Sequence, residues 1–417
     1  MVTPLFRQCY RFLMGTVVLV CQMGSRSQPI RPALRPREGW RASVFVFSGA
    51  LVCLSLAQPG HGAMLRPALT QGGSQIQRVA VFGLDDRVRL PEGYRGLQKS
   101  IGVLYNSRSR TMCTAFCVAE NIVATAAHCV YRTAGERAPS PDGFVFTRPG
   151  SGNRDRARIA GSGQKSSAQN VLAGTAELSV RPPIDAARDW ALVKLSEPAC
   201  QGRTLPVRTL TSEEIIRQAA AKRLFQVGFH RDFMAWQPVY SMPCEAGRSF
   251  GASDWQSVVR DFAHPGHLIL HTCDTGGASS GSPLMIDTPA GPEVVAINVG
   301  TYMQARVMIE DGEVVHRSKA DPVANTAVGA EAFAGKLEAF RQAVILQSGA
   351  AMRSLQVELK SRGLYRGPPD GVYGAVLRKA ILEYERSVGM IETGLPTAAL
   401  LRRLEEENTA RRNGSRV

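Results

Sequence analysis

Thr125-Ala126-Ala127-His128-Cys129 follows directly on the β-branched run Asn121-Ile122-Val123-Ala124. Two other short motifs lie outward along the chain: Asp189-Trp190-Ala191-Leu192-Val193-Lys194-Leu195, and Gly277-Ala278-Ser279-Ser280-Gly281-Ser282-Pro283. One carries an imidazole, one a carboxylate and one a hydroxyl. A serine hydroxyl is a poor nucleophile at neutral pH until an imidazole takes its proton and a carboxylate holds that imidazole's tautomer. Asp185 competes with Asp189, but the apolar strand directly after Asp189 favours the latter. Ser279 and Ser282 compete with Ser280, and only Ser280 sits in the Ser-Gly turn followed by Ser-Pro.

Around these motifs, residues 79–299 are short β-branched and aromatic runs broken by Gly, Pro, Asn and Asp, an all-β signature. Residues 212–221 read as one short helix and residues 148–169, rich in Gly, Ser and Arg, as a surface loop. Beyond Thr326 the character changes to Ala, Leu, Glu and Lys at helical spacing, through residues 331–347. Residues 353–406 read as helical, interrupted by Gly367-Pro368-Pro369-Asp370-Gly371 and by residues 389–396.

With the order His, Asp, Ser, residues 79–333 resemble the bacterial glutamyl-endopeptidase-like branch of the chymotrypsin-fold, trypsin-like serine proteases. Gly83-Leu84-Asp85-Asp86-Arg87, the Thr-Ala-Ala-His-Cys block and Ser280-Gly281-Ser282-Pro283 carry the resemblance. It implies a mainly β fold, two antiparallel β-barrels with His128, Asp189 and Ser280 in the cleft between them, and an acyl-enzyme route without metal or organic cofactor. The backbone N–H groups of Ala278 and Ser280 would form the oxyanion hole. Relatives usually have glycine where Ala278 stands, so either the turn tolerates alanine or the loop has shifted; a wall-binding scaffold with a spoiled oxyanion hole is the alternative reading. Ser279 replaces the aspartate that trypsin-type zymogens use to receive the new N-terminus.

The same resemblance places the specificity pocket at Asp274, Thr275, Asn298 and Gly300. Asp274, six residues before Ser280, would either select substrate Lys or Arg or serve the loop structurally. Asn298 replaces the histidine of strict Glu-specific relatives. Cys113 precedes Cys129 by sixteen residues, the spacing of the family disulfide, and Cys244 is paired with Cys273, leaving Cys117 and Cys200; sequence alone fixes no connectivity. His264, His267, His271 and Cys273 match no standard zinc spacing, so no metal site is expected.

Residues 355–394, through Asp370-Gly371-Val372-Tyr373-Gly374, resemble the three-helix peptidoglycan-binding domain of exported bacterial enzymes. Asp370, Gly371, Tyr373 and Gly374 are the binding residues this implies. Leu355 and Leu359, with Leu377, Ala380 and Tyr384, give the domain a core of its own.

The domain reading is a leader over residues 1–63, a short propeptide or linker at 64–78, the protease at 79–333, a helical linker at 334–350, the peptidoglycan-binding-like domain at 351–408 and a tail at 409–417. The two apolar stretches in the leader are too short to span a bilayer, and the second ends in Gly60-His61-Gly62-Ala63, as a signal peptide does. Six of nine cysteines lie beyond it, an even number suited to an oxidising compartment. The formal charge of +15 includes seven arginines and one glutamate in the leader, leaving 15 − 6 = +9 afterwards. These charges are scattered without interleaved aromatics, which argues against nucleic acid. Protein or peptide substrates and peptidoglycan are the expected partners, in a secreted or periplasmic setting with no membrane span retained.

Overall fold

The computed structural model describes residues 17–20, 80–133, 141–148, 156–164, 166–251, 255–305, 307–310, 313–317 and 321–414. The leader cleavage site and the 64–78 segment lie outside the described residues.

Strands β1 (Val17–Val20) and β2 (Val88–Arg89) precede a seven-stranded antiparallel sheet. That sheet contains β3 (Ile101–Asn106), β4 (Thr111–Ala119), β5 (Ile122–Thr125), β7 (Phe144–Thr147), β8 (Ala157–Arg158), β9 (Val171–Ala173) and β11 (Ala191–Lys194), in the order β8-β7-β3-β4-β5-β11-β9; β6 (Arg132–Thr133) and β10 (Glu177–Leu178) pair apart from it. A second curled sheet is built from β12 (Leu224–His230), β13 (Phe233–Ser241), β14 (Ala246–Gly247), β15 (Leu268–His271), β16 (Pro283–Ile286), β17 (Glu293–Ala305) and β20 (Asp321–Gly329), with β2 on one edge. β1 pairs with the end of β17, and β18 (Val307–Glu310) and β19 (Glu313–Arg317) form a separate hairpin. The two sheets are the half-barrels of the chymotrypsin fold.

The runs Ile122-Val123-Ala124 and Ala191-Leu192-Val193 are apolar throughout because both faces of these strands are covered. Val123, Ala191 and Val193 point into the first barrel with Leu104, Phe144 and Phe146. Ile122, Ala124 and Leu192 face the opposite way, into a seam with Phe225, Val227, Phe229 and Met285 of the second barrel. Period-two alternation therefore sorts side chains between two interiors rather than between core and water.

Helix α1 (Ala127–Val130) is a single turn after β5. Helix α2 (Ser212–Ala220) begins at a capping box in which Thr211 and Glu214 satisfy each other's backbone N–H groups, and α3 (Trp255–Asp261) follows β14. The stretch read as a loop over 148–169 contains β8 and ends in the buried side chains of Ser166, Ser167 and Gln169.

At the C-terminal end, α4 (Ala334–Gln342) stops well short of the helical stretch expected through 347. Ala343 turns extended, and Ile345 bridges to Thr397. α5 (Gly349–Ser361), α6 (Ala375–Ser387) and α7 (Ala398–Gly414) follow, the last continuing through much of the stretch read as a tail. Leu355, Leu359, Leu377, Ala380 and Tyr384 form the expected separate core. Leu395 does not: it joins Ile345, Phe340, Phe333 and Trp190 in the cluster that includes the inter-barrel seam. Gln169 donates to Leu346 O at 2.6 Å and Arg378 to Ala173 O at 2.5 Å, so the helical region is fastened to the first barrel. Both regions fall in one compact unit.

Candidate active site

Helix α1 carries His128 out of the first barrel, and the residues after Arg188 bring Asp189 to it. His128 Nδ1 lies 2.7 Å from Asp189 Oδ2, and His128 N donates to Asp189 Oδ1 at 2.9 Å. Asp189 is 1% exposed. A carboxylate only accepts, so Nδ1 is the donor in this pair, and in the neutral tautomer that this favours Nε2 is the acceptor. The competing Asp185 is engaged with Arg188 at 3.3 Å.

On the second barrel Ser280 follows one turn, closed by Ser279 N to Gly276 O at 3.1 Å, and lies inside the next, closed by Ser282 N to Ser279 O at 3.0 Å. Cys129 Sγ is 3.8 Å from His128 Nε2 and 3.9 Å from Ser280 O, so the imidazole and the Ser280 backbone flank the same sulfur. Cys129 is in a disulfide with Cys113, so these are packing contacts. Ser279 and Ser282 are buried, and the Ser282 hydroxyl donates to Ser279 O at 2.6 Å; Ser280 alone of the three is partly exposed.

Barrel one holds the loop in place. Thr114 N donates to Ser280 O and Thr114 Oγ1 to Ala278 O, each at 2.9 Å. Phe229 N donates to Thr114 Oγ1 at 2.9 Å, and Thr125 Oγ1 to Thr114 O at 2.8 Å. Thr114 is silent in the sequence, since a threonine in a strand carries no signal of a polar role. The loop keeps alanine at 278, at φ +82°, a left-handed conformation that costs a residue with a Cβ about 1–2 kcal/mol. Gly281, at φ +84°, has no such latitude: a Cβ there would run into Thr114 O and Thr125 Oγ1. Among the described residues, the N–H groups of Ala278 and Ser280 have no acceptor, whereas those of Ser279, Gly281 and Ser282 are all bonded within the fold.

The residues read as the specificity pocket, Asp274, Thr275, Asn298 and Gly300, have the following partners. Asp274 accepts from Phe82 N at 2.8 Å and Asp86 N at 3.2 Å, tying the 80–87 segment to the loop. Burial pushes its carboxyl above the usual range, against the pull of those two donors. Thr275 Oγ1 and Thr301 Oγ1 both donate to Asn325 Oδ1, at 3.2 and 2.7 Å. The Asn298 side chain points to Ser279 and His271, and Gly300 lies in β17 opposite Thr326.

The 80–87 segment adds a charged knot. Arg87 reaches Asp85 and Asp232, each at 2.8 Å, and His230 Nδ1 at 2.9 Å. Burial first, and then the Arg87 cation, push His230 down to about 3. Gly276 passes so close that a Cβ would meet Asp232 and Arg87.

Cysteines 117 and 200 pair, as do 244 and 273. Two groups of ligand-type atoms, Cys113/His128/Cys129 and Cys244/His271/Cys273, each consist of a disulfide and one histidine. Metal ligation by cysteine needs a thiolate, which a disulfide does not offer. His267 pairs with Glu331 at 2.8 Å, away from His271.

In the helical region, Asp370 Oδ1 accepts from Gln356 Nε2 at 2.8 Å and Val372 N at 2.9 Å, and Gly371 N donates to Gln356 Oε1 at 2.8 Å. Tyr373 donates to Gly394 O at 2.8 Å, while Gly374 is exposed at the start of α6.

Two family models match parts of the chain. The trypsin family model matches residues 91–241, and the putative peptidoglycan binding domain model matches residues 348–404. No curated protein matches the chain. Among solved structures, a Glu endopeptidase in complex with MPD is similar at 16% identity, covering 63% of this chain and all of that one with a TM-score of 0.40. The protease Anisep from Arthrobacter nicotinovorans is similar at 12% identity, with 55% and 90% covered and a TM-score of 0.34. A thermostable serine protease, AL20, from an extremophilic microorganism is similar at 15% identity, with 56% and 91% covered and a TM-score of 0.32. The chain carries a trypsin-family serine endopeptidase domain followed by a domain of the putative peptidoglycan-binding family.

Proposed function

We propose that this endopeptidase is exported, cleaves peptide bonds through an acyl-enzyme on Ser280, and is held at the cell wall by its C-terminal domain. The observation that carries the reading is the 2.7 Å His128–Asp189 pair beside a partly exposed Ser280 whose loop leaves two N–H groups, Ala278 and Ser280, without acceptors. In that reading Ser280 Oγ attacks the scissile carbonyl while His128 Nε2 takes its proton and Asp189 holds the imidazole. The oxygen that becomes negative receives the two N–H groups, and His128 returns the proton to the leaving amine. Three disulfides support an oxidising compartment. The family match at residues 348–404 supports the wall anchor.

Turnover of a labelled casein by wild type, Ser280→Ala and Ser279→Ala tests the chemistry. Ser280→Ala is expected to lose activity by about 10⁴-fold or more, and Ser279→Ala to keep most of it. Comparable activity in Ser280→Ala would reject the reading. For the anchor, the full-length Ser280→Ala protein is expected to sediment with purified sacculi even at 1 M salt, where screening acts over only about 3 Å. Binding lost in parallel with a basic control protein would leave charge alone.

A further inference from the structure

Asn298 lies in β17, 2% exposed, and binds the nucleophile loop at three places. Its backbone accepts from Gly281 N at 2.7 Å and donates to Ser282 O at 2.9 Å. Its side-chain Nδ2 donates to Ser279 O at 3.1 Å and lies 3.4 Å from Ser279 Oγ. Because Ser279 O is a carbonyl and only accepts, the atom facing it is the amide nitrogen, which turns Oδ1 toward His271 Nε2 at 3.2 Å. Oδ1 in turn only accepts, so His271 carries its proton on Nε2. His271 Nδ1 is then a bare acceptor, and among the described residues it is buried without a hydrogen-bond partner. Full burial keeps this imidazole neutral, pushed down to about 3.

The consequence follows from the planarity of the peptide unit. In a trans peptide the C=O of one residue and the N–H of the next point in opposite directions. Asn298 Nδ2, together with Ser282 N at 3.0 Å and Ser282 Oγ at 2.6 Å, fixes Ser279 O inward and so aims Ser280 N–H the opposite way. Gly277 O is fixed in the same manner by Arg231 N at 2.7 Å, which aims Ala278 N–H. We infer that Asn298, oriented by His271, is a positioning residue for the hydrolytic reaction: as the donor from β17 to the carbonyl of Ser279, beside the two from Ser282, it holds the Ser280 N–H that receives the oxyanion in its direction. The inference rests on the reading of Ser280 as nucleophile. It gives Asn298 a role other than lining the substrate pocket.

The test is steady-state turnover of labelled casein, with fluorophosphonate labelling rates and thermal melting, for wild type, Asn298→Asp and Ser280→Ala. As a carboxylate, Asp keeps the size of Asn and has nothing to donate to Ser279 O; assays at pH 7 and 9 separate the carboxylate from a protonated side chain, which could donate. Removing an oxyanion donor outright costs about 10²–10³-fold in kcat, so a misaimed one should cost about 10–100-fold, with KM unchanged and labelling slowed in parallel. A folded Asn298→Asp with wild-type kcat, or with raised KM and wild-type kcat, overturns the inference. If Asn298→Asp does not fold, His271→Leu is expected to show the same fall in kcat at constant KM, and His271→Gln, whose amide can donate to Oδ1, to recover it. Wild-type kcat in a folded His271→Leu would then overturn it. An active Ser280→Ala would instead remove the nucleophile reading, whatever Asn298 does.

Discussion

The amide N–H of Thr114, in the first barrel, donates to the carbonyl oxygen of Ser280, in the second, across 2.9 Å. The same residue's hydroxyl holds Ala278 O, so one threonine joins the barrels at the point where the chemistry is proposed to occur. Thr114→Val keeps the backbone bond and the shape. It removes the hydroxyl and strands the N–H of Phe229, a loss of about 1–3 kcal/mol. Denaturant midpoints should show that loss, and turnover of labelled casein should fall on the order of tenfold as Ala278 loses its anchor. Unchanged stability and turnover would mean that the loop does not depend on barrel one.

Two neighbouring small residues should respond in opposite ways. Ala278→Gly relieves a Cβ at φ +82°, while glycine's greater freedom in the unfolded chain offsets part of that gain, so the net change is expected within about 1 kcal/mol with activity retained. Gly281→Ala places a Cβ against Thr114 O and Thr125 Oγ1 and should abolish turnover. Melting curves and casein assays on the pair check this; an active Gly281→Ala would contradict the loop geometry.

The motifs bearing His128, Asp189 and Ser280 were legible because each is a short local run that also fixes its own strand or turn. Side-chain direction was not. Asp274 at a position associated with a pocket floor gave no hint that its partners would be Phe82 N and Asp86 N, about 190 residues earlier. Asn298 was read through the histidine of related enzymes, whereas its direction is set by Ser279 and His271. The Cys117–Cys200 bridge spans 83 residues and depends on closure of the first barrel. The end of α4 was missed because Ala343 has helical propensity; the pairing of Ile345 with Thr397, a tertiary contact, overrides it.

His230 and His271 are both held neutral, pushed down to about 3 by burial, with Arg87 adding to the effect on His230. An unfolded chain protonates its histidines near pH 6.5. Between about pH 6.5 and 3 the unfolded state binds protons that the folded state does not, so stability should fall with pH by about 1.4 kcal/mol per unit for each histidine. Urea unfolding at intervals from pH 7 to 4 measures the slope. His230→Gln should reduce it by one proton's worth, and an identical slope would show that His230 is protonated in the fold.

Truncation after Gln347 tests whether the helical region stands apart. Leu395 shares a cluster with Ile345, Phe340 and Trp190, and Arg378 reaches Ala173 O. Removing residues 348–417 should therefore uncover apolar surface worth about 2 kcal/mol or more and lower the melting temperature of the protease. Equal melting temperatures would show that the protease stands without the helical region.

The most direct test of the proposed catalytic assignment is the site of covalent labelling. Native protein treated with a fluorophosphonate, digested and sequenced by mass spectrometry should carry one adduct, on Ser280, and denatured protein none. An adduct on Ser279, or none on protein shown to be folded, would contradict the account.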